Sequence, residues 1–306
     1  MTAAALNVTV VGPDAAGFLT VYSCTGTVPV TSSVNFAAGR DIANSTIATL
    51  DPHGDVCVYS SAGTHLVVDI TAWLSPTAEN AMTAVAPHRA ADTRSGVGST
   101  GRLAAGTVLT VPVGNPLASA VAMNVTAVGA DAAGFLTAYP CGTTPPDTST
   151  VNFARGEDRP NNAIVAVAPG GLVCVFSSAT ADVLVDVTGV FSPVAPLEYL
   201  PAVLQRLLDT RATGVVGPGA VAFDVPSGLA ASAVSVNVTA TGHTVDGYAT
   251  VFGCGTNMAD TSTLNQRVGE DNSNGAIVPV AAGFAGCVFT SSATNVIVDL
   301  NGWWVH

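Results

Sequence analysis

Lysine is missing from this sequence altogether. Its nine basic residues are all arginine and stand against 21 acidic ones, leaving a net charge of −12. That balance excludes the basic footprint a nucleic-acid partner needs and disfavours an anionic membrane surface. No uninterrupted apolar run approaches the roughly 18 residues of a spanning helix, so no membrane span is expected. No window carries the 3.6-residue period of a helix. Catalytic signatures are missing too: there is no Gly-x-Ser-x-Gly elbow, HExxH or P-loop. His53, His65, His88, His243 and His306 are scattered, and the only glutamates are Glu79, Glu157, Glu198 and Glu270. None of these recurs through the repeat described next, and a carboxylate-pair hydrolase needs a second acid at a defined separation. The expectation is a protein with no catalytic residue, metal or cofactor.

What is present is self-similarity, and it sets the domain organisation. The series Asn7, Cys24, Asn35, Asn44, Cys57, Asp69 returns without a gap as Asn124, Cys141, Asn152, Asn161, Cys174, Asp186. It returns again as Asn237, Cys254, Asn265, Asn274, Cys287, Asp299, so the copies start at residues 7, 124 and 237. Three domains follow over residues 1–76, 77–194 and 195–306. The apolar fraction of 48% is enough to fill their cores. Its residues are Val, Ala and Ile broken by Gly, Pro, Asn and Thr, a strand-and-turn composition.

Cysteine usage points to the compartment. Cys24 and Cys57, Cys141 and Cys174, and Cys254 and Cys287 fall one pair to a copy, with none left over. One disulfide per repeat is expected, and with it an oxidising, extracellular setting. Zinc would ask for closer ligands such as CxxC with nearby His. Met1-Thr-Ala-Ala-Ala has neither the charged nor the apolar part of a leader, so a leader is expected to have been removed.

Within the first copy, alternating segments bounded by turn residues cover Ala5–Val11, Gly17–Cys24, Ser32–Ala37, Thr46–Leu50, Asp55–Ser60 and His65–Leu74. These read as half-buried strands. Phe18, Tyr22 and Cys24 share one face, as do Cys57 and Tyr59. An aromatic layer packed in the core against the cystine is the expectation, with a sugar-stacking platform as the alternative. Between copies lies a second recurrent segment, Arg89-Ala-Ala-Asp92-Thr-Arg94 and Arg206-Leu-Leu-Asp209-Thr-Arg211, each followed by a strand. Eight short strands in about 115 residues suggest a two-layer β-sandwich, Ig-like or jelly-roll-like. The first copy lacks the two leading strands, which should leave sheet edges open to strand addition or self-association.

Three sets of polar residues invite a role. Asp69, Asp186 and Asp299 sit in apolar strands and should have partners. The Arg of the Asp-Thr-Arg segment is expected to pair Arg94 with Asp186 and Arg211 with Asp299. The recurrent Gly-x-Asp-x-x-Asn, with Asp41 and Asn44, Asp158 and Asn161, Asp271 and Asn274, reads as a turn and as a candidate ion or glycan site. One carboxylate per loop is thin for calcium. The sequons at Asn7, Asn124 and Asn237 lie inside apolar strands, where cross-strand hydrogen bonding is expected over glycan attachment.

These motifs together resemble a recurrent secreted repeat of actinobacteria and related bacteria. The matching residues are Leu208–Arg211, Met123–Thr126, Gly134–Gly142, Ser149–Phe153, Asn161, Val173–Ser178 and Val185–Phe191. In the third copy Asn265-Gln266 departs from the pattern. The resemblance implies a secreted or cell-surface protein attached to wall-associated chains, without a general activity. The expected function is a non-catalytic structural, adhesive or surface-display role, with self-association. The alternative is a carbohydrate-binding module for cell-wall or extracellular glycan, with up to three weak equivalent sites.

Overall fold

The structure, a computed structural model, describes residues 1–99, 101–280 and 285–306. The described residues are all-β, with three disulfides and six small antiparallel sheets. The first unit holds β1 (Ala3–Val11), β2 (Gly17–Ser23), β3 (Val34–Phe36), β4 (Ile42–Thr49), β5 (Val56–Ser60) and β6 (His65–Leu74). They form two three-stranded sheets, ordered β4-β1-β6 and β3-β2-β5.

The second unit begins with two strands the first has no counterpart for, β7 (Ala81–Asp92) and β8 (Thr107–Pro112). It continues with β9 (Ala120–Val128), β10 (Gly134–Pro140), β11 (Val151–Phe153), β12 (Arg159–Ala166), β13 (Leu172–Ser177) and β14 (Asp182–Ser192). The sheets are β12-β9-β14-β7 and β11-β10-β13-β8, so each gains one strand at its edge. The third unit repeats this with β15 (Glu198–Asp209), β16 (Gly219–Asp224), β17 (Ala233–Thr241) and β18 (Gly247–Gly253). β19 (Leu264–Gln266), β20 (Asn272–Pro279), β21 (Ala285–Thr290) and β22 (Asn295–Val305) complete it, in the orders β15-β22-β17-β20 and β16-β21-β18-β19.

In each unit the two sheets share one apolar core. Alternation sends Leu6, Val8 and Val10 of β1 against Leu19 and Val21 of β2 in the first unit. Val121, Met123 and Val125 meet Leu136 and Val175 in the second, and Val234, Val236 and Val238 meet Val251 and Val288 in the third.

The other residues of the central strands are buried as well. All of β1 but its last residue is covered, because its outer face packs against the neighbouring units. A further apolar cluster draws on all three: Ala5, Ile47, Ala122, Ile164, Ala233 and Ile277, with Met82, Tyr199 and Trp304. Ile47, Ile164 and Ile277 occupy the same position of the repeat. The three units therefore close around a common axis instead of stringing out.

Polar residues lock that closure. Asn161 Nδ2 donates to Asn7 Oδ1 at 2.8 Å, Asn274 to Asn124 at 2.9 Å and Asn44 to Asn237 at 2.9 Å. Each of these pairs crosses from one unit to the next, and the third returns to the first. The acceptor oxygens of the same asparagines take the amides of Ser45, Asn162 and Gly275, at 2.9, 3.0 and 3.1 Å. At Gly275 the strands approach so closely that a Cβ would lie 2.5 Å from the Ser45 carbonyl oxygen. Further along the axis Arg40 bridges Glu157 at 2.9 Å and Glu270 at 2.8 Å, three residues at one position of the repeat. Arg159 also contacts Glu157 and Glu270, so two arginines balance two glutamates. Burial pushes Glu157 up, but Arg159, the Ala154 amide and Arg40 together hold it below the usual glutamate range.

Two expectations are corrected here. Asn44, Asn161 and Asn274 are not in turns; they lie inside β4, β12 and β20, at most 2% exposed, with their amides committed to the neighbouring unit. The turn stops earlier, with Gly39, Gly156 and Gly269 at positive φ, and Asp41 and Asp158 accept from the amides of Gly12 and Gly129 at 2.8 and 2.9 Å. Asn44, Asn161 and Asn274 are therefore scaffold residues and not ligands of a loop site. Asn7, Asn124 and Asn237 are likewise buried, and their hydrogen bonds run between units.

Candidate functional site: the grooves between units

Each interface between units carries a groove built from equivalent residues. Against the third unit, the first presents Phe18, Tyr59 and Asn35, facing Arg206, Arg211 and Asp271 across a cavity of about 580 Å³. Against the second unit, the third presents Tyr248 and Asn265, facing Arg89, Arg94 and Asp158 across about 270 Å³. Against the first unit, the second presents Phe135, Phe176 and Asn152, facing Val67 and Asp69 across about 530 Å³. The lining of the third groove holds no arginine: β6 has beside it no described strand corresponding to β7 or β15.

The aromatic wall is a cross-strand pair on the outer face. Ring centroids of Phe18 and Tyr59 are 6.0 Å apart, of Phe135 and Phe176 6.1 Å, and of Tyr248 and Phe289 5.9 Å, all tilted by 45–47°. Phe18 and Phe135 are 37% exposed and Tyr248 39%. This overturns the reading of an aromatic core layer. The core face of β2 is taken by Leu19 and Val21, so alternation puts Phe18 on the other face, together with the cystine. All three disulfides are intra-unit: Cys24–Cys57, Cys141–Cys174 and Cys254–Cys287.

The opposite wall is a chain of charged pairs. Arg89 grips Asp186 through Nε at 2.8 Å and Nη2 at 3.1 Å, and reaches Asp92 through Nη1 at 3.1 Å. Arg94 in turn donates to both carboxylate oxygens of Asp92, at 3.0 and 2.8 Å. The third unit repeats it: Arg206 to Asp299 at 2.8 and 3.2 Å and to Asp209 at 3.2 Å, then Arg211 to Asp209. The expected pairing of Arg94 with Asp186 and of Arg211 with Asp299 is thus corrected to the first arginine of each segment. Strand register decides it: Asp186 stands opposite Arg89, and Asp299 opposite Arg206, whereas Arg94 and Arg211 lie beyond the strand ends.

Environment separates the carboxylates. Hydrogen bonds from Arg94 pull Asp92 down to about 2, and Arg211 does the same for Asp209. Burial raises Asp186 and Asp299, against the pull of Arg89 and Arg206. Asp69, the counterpart in the first unit, has no arginine. Its Oδ2 is buried without a hydrogen-bond partner, and burial raises it. Arg94 and Arg211 keep about half their surface open, so each groove they line offers a planar donor opposite an aromatic face.

Sequence reasoning missed the asparagine ring and the Arg40–Glu157–Glu270 cluster. The cluster's signal was complementary charge at one repeat position, which a search for residues identical in every copy passes over. Among the described residues no group of three His, Cys, Asp or Glu side chains is placed to hold a metal ion, and no helix is long and apolar enough to cross a membrane.

No family model matches the chain, and no curated protein does. Among solved structures it is similar to a protein of an archaeal virus described with a triple jelly-roll fold and turret assembly. The identity is 9%, over 99% of this chain and 79% of that one, with a TM-score of 0.19. A chain of Sulfolobus turreted icosahedral virus gives 10% identity, 99% and 79% coverage and a TM-score of 0.19. The N-terminal tandem CBM22 domain of a Paenibacillus barcinonensis protein gives 12%, 72% and 100%, with a TM-score of 0.21. Scores this low define no common fold.

Proposed function

We propose that this chain is a non-catalytic adhesive module of the bacterial exterior that binds cell-wall or extracellular glycan in the grooves between its units. In this reading the paired sheets of each unit are one β-sandwich repeat, Ig-like or jelly-roll-like, and the asparagine ring holds three such repeats as one rigid platform. The observation that carries the reading is the recurrence of one groove at every interface, with a part-exposed aromatic ring, Phe18, Phe135 or Tyr248, on one wall. Aromatic faces stack on the C–H faces of sugar rings, while Arg94 and Arg211 supply paired donors to hydroxyl or carboxylate oxygens. Individually weak sites on one rigid body gain by avidity when the polymer spans them. Three disulfides suit an oxidising, extracellular setting.

The test is a glycan array and a pull-down on purified cell-wall polysaccharide, with wild type beside the triple variant Phe18→Ala, Phe135→Ala, Tyr248→Ala. Retention of wild type and at least tenfold weaker retention of a folded triple variant are expected. No retention of wild type, or equal retention of both, would overturn the reading.

A further inference from the structure

The first unit has an unfinished side. In the complete units the last strand of the inner sheet is covered by a leading strand, β7 on β14 and β15 on β22. Among the described residues nothing covers β6 in that way. Val68 is 43% exposed where Val185 and Val298 are 0%, and Ile70 is 55% exposed where Val187 is 0% and Leu300 is 1%. Leu66, Val67 and Trp73 are open as well. In the second sheet β5 is equally bare on the edge that β8 and β16 occupy elsewhere. The edge carries none of the lysines that discourage pairing. Both Arg-x-x-Asp-Thr-Arg strands of this chain are already bound within their own units.

Asp69 states what is missing. Its counterparts are each held by the arginine directly opposite in the added strand, while its own Oδ2 is buried without a partner. We propose that this side of the first unit is a strand-acceptor site. Its occupant is a strand pair of the kind that leads the other two units: an antiparallel segment beside β6 with an arginine opposite Asp69, and a short apolar strand beside β5. The added strands complete both sheets by backbone hydrogen bonding and bury the exposed valines. The incoming arginine satisfies Asp69 and brings to the third groove the guanidinium that Arg89 and Arg206 bring to the others. The inference stands whatever the grooves bind.

The probes are synthetic peptides of this chain's own leading pairs, residues 77–113 and 195–226, titrated into the full chain. Each is paired with a twin carrying Arg89→Ala or Arg206→Ala. One-to-one saturable binding and slowed hydrogen exchange in β5 and β6 are expected. Binding should weaken at least tenfold with either arginine-free twin, and by a similar factor in a folded Asp69→Asn chain. Combining the two changes should cost little more than one alone. Failure of both peptides, equal binding of parent and twin, or indifference to Asp69→Asn would overturn the proposal. So would a dimer in which two copies of β6 pair with each other.

Discussion

Asn161 donates from Nδ2 to Oδ1 of Asn7, 2.8 Å away and 154 residues earlier in the chain. The same side chain donates to the Thr150 carbonyl and accepts the Ser45 amide, so one residue ties its own unit to two stretches of its neighbour. Replacing it by alanine leaves an amide, a carbonyl and a side-chain oxygen buried without partners, and each such group costs about 1–3 kcal/mol. Asn161→Ala is expected to lower stability by roughly 3 kcal/mol, and Asn44→Ala and Asn274→Ala by similar amounts. Urea denaturation checks this. Because the ring closes, wild type should unfold in one transition, and separate transitions for the three units would contradict the locked axis.

Part of this was legible beforehand. Strict spacing placed Cys24 with Cys57, and period-2 alternation placed β5 and β6 within a residue of their observed bounds. Alternation alone does not say which of two faces is the core, and for Phe18 the wrong one was read. The ring was hidden for a different reason. An asparagine buried in a strand and one in a turn look alike in one sequence, and the partner of Asn7 lies in another unit. Small Ala3 and Ala5 alternating with Leu6 and Val8 were the local sign of a strand buried on both faces.

The two arginines of each segment should behave differently. Arg89→Ala strips the partner from Asp186, which is 1% exposed, and losing one member of a buried pair costs about 3–5 kcal/mol. Arg94 is about half exposed, and Asp92 keeps Arg89 when it is removed. Arg94→Ala is therefore expected to cost under about 1 kcal/mol. Thermal unfolding of both variants, and of Arg206→Ala beside Arg211→Ala, gives the comparison.

Removing one cystine is expected to matter more than any surface change. Closing the 33-residue separation of Cys141 and Cys174 is worth about 3–4 kcal/mol in the chain-entropy account. The double variant Cys141→Ser, Cys174→Ser should lose that much by urea denaturation. Peptide mapping of the unreduced wild type should find only the three intra-unit links.

Acid should weaken the fold through Asp92 and Asp209. Their folded-state values, about 2, lie below the ordinary aspartate value near ~4. The unfolded chain thus takes up the proton first, and stability falls as pH falls. Their contribution is complete above about pH 4 and is lost as pH drops through about 2. In Asp92→Asn plus Asp209→Asn that part of the pH dependence should flatten, as read from denaturation midpoints between pH 5 and about 2.

Asp69 should show the opposite sign. Burial raises its folded-state value, and no arginine answers it, so the folded chain takes the proton more readily than the unfolded one. The cost of its charge is absent below the ordinary aspartate value and grows as pH rises through the folded one. Asp69→Asn should therefore stabilise the isolated chain at pH 7, by under about 1 kcal/mol because the residue as a whole is only partly buried, and should have no effect near pH 3. Burial raises Asp186 too, but Asp186→Asn also strips Arg89 of its bidentate partner, and that loss should make the substitution destabilising at pH 7. Equal losses from both substitutions at neutral pH would mean that Asp69 already has a partner, and the open side of the first unit would then need no incoming strand.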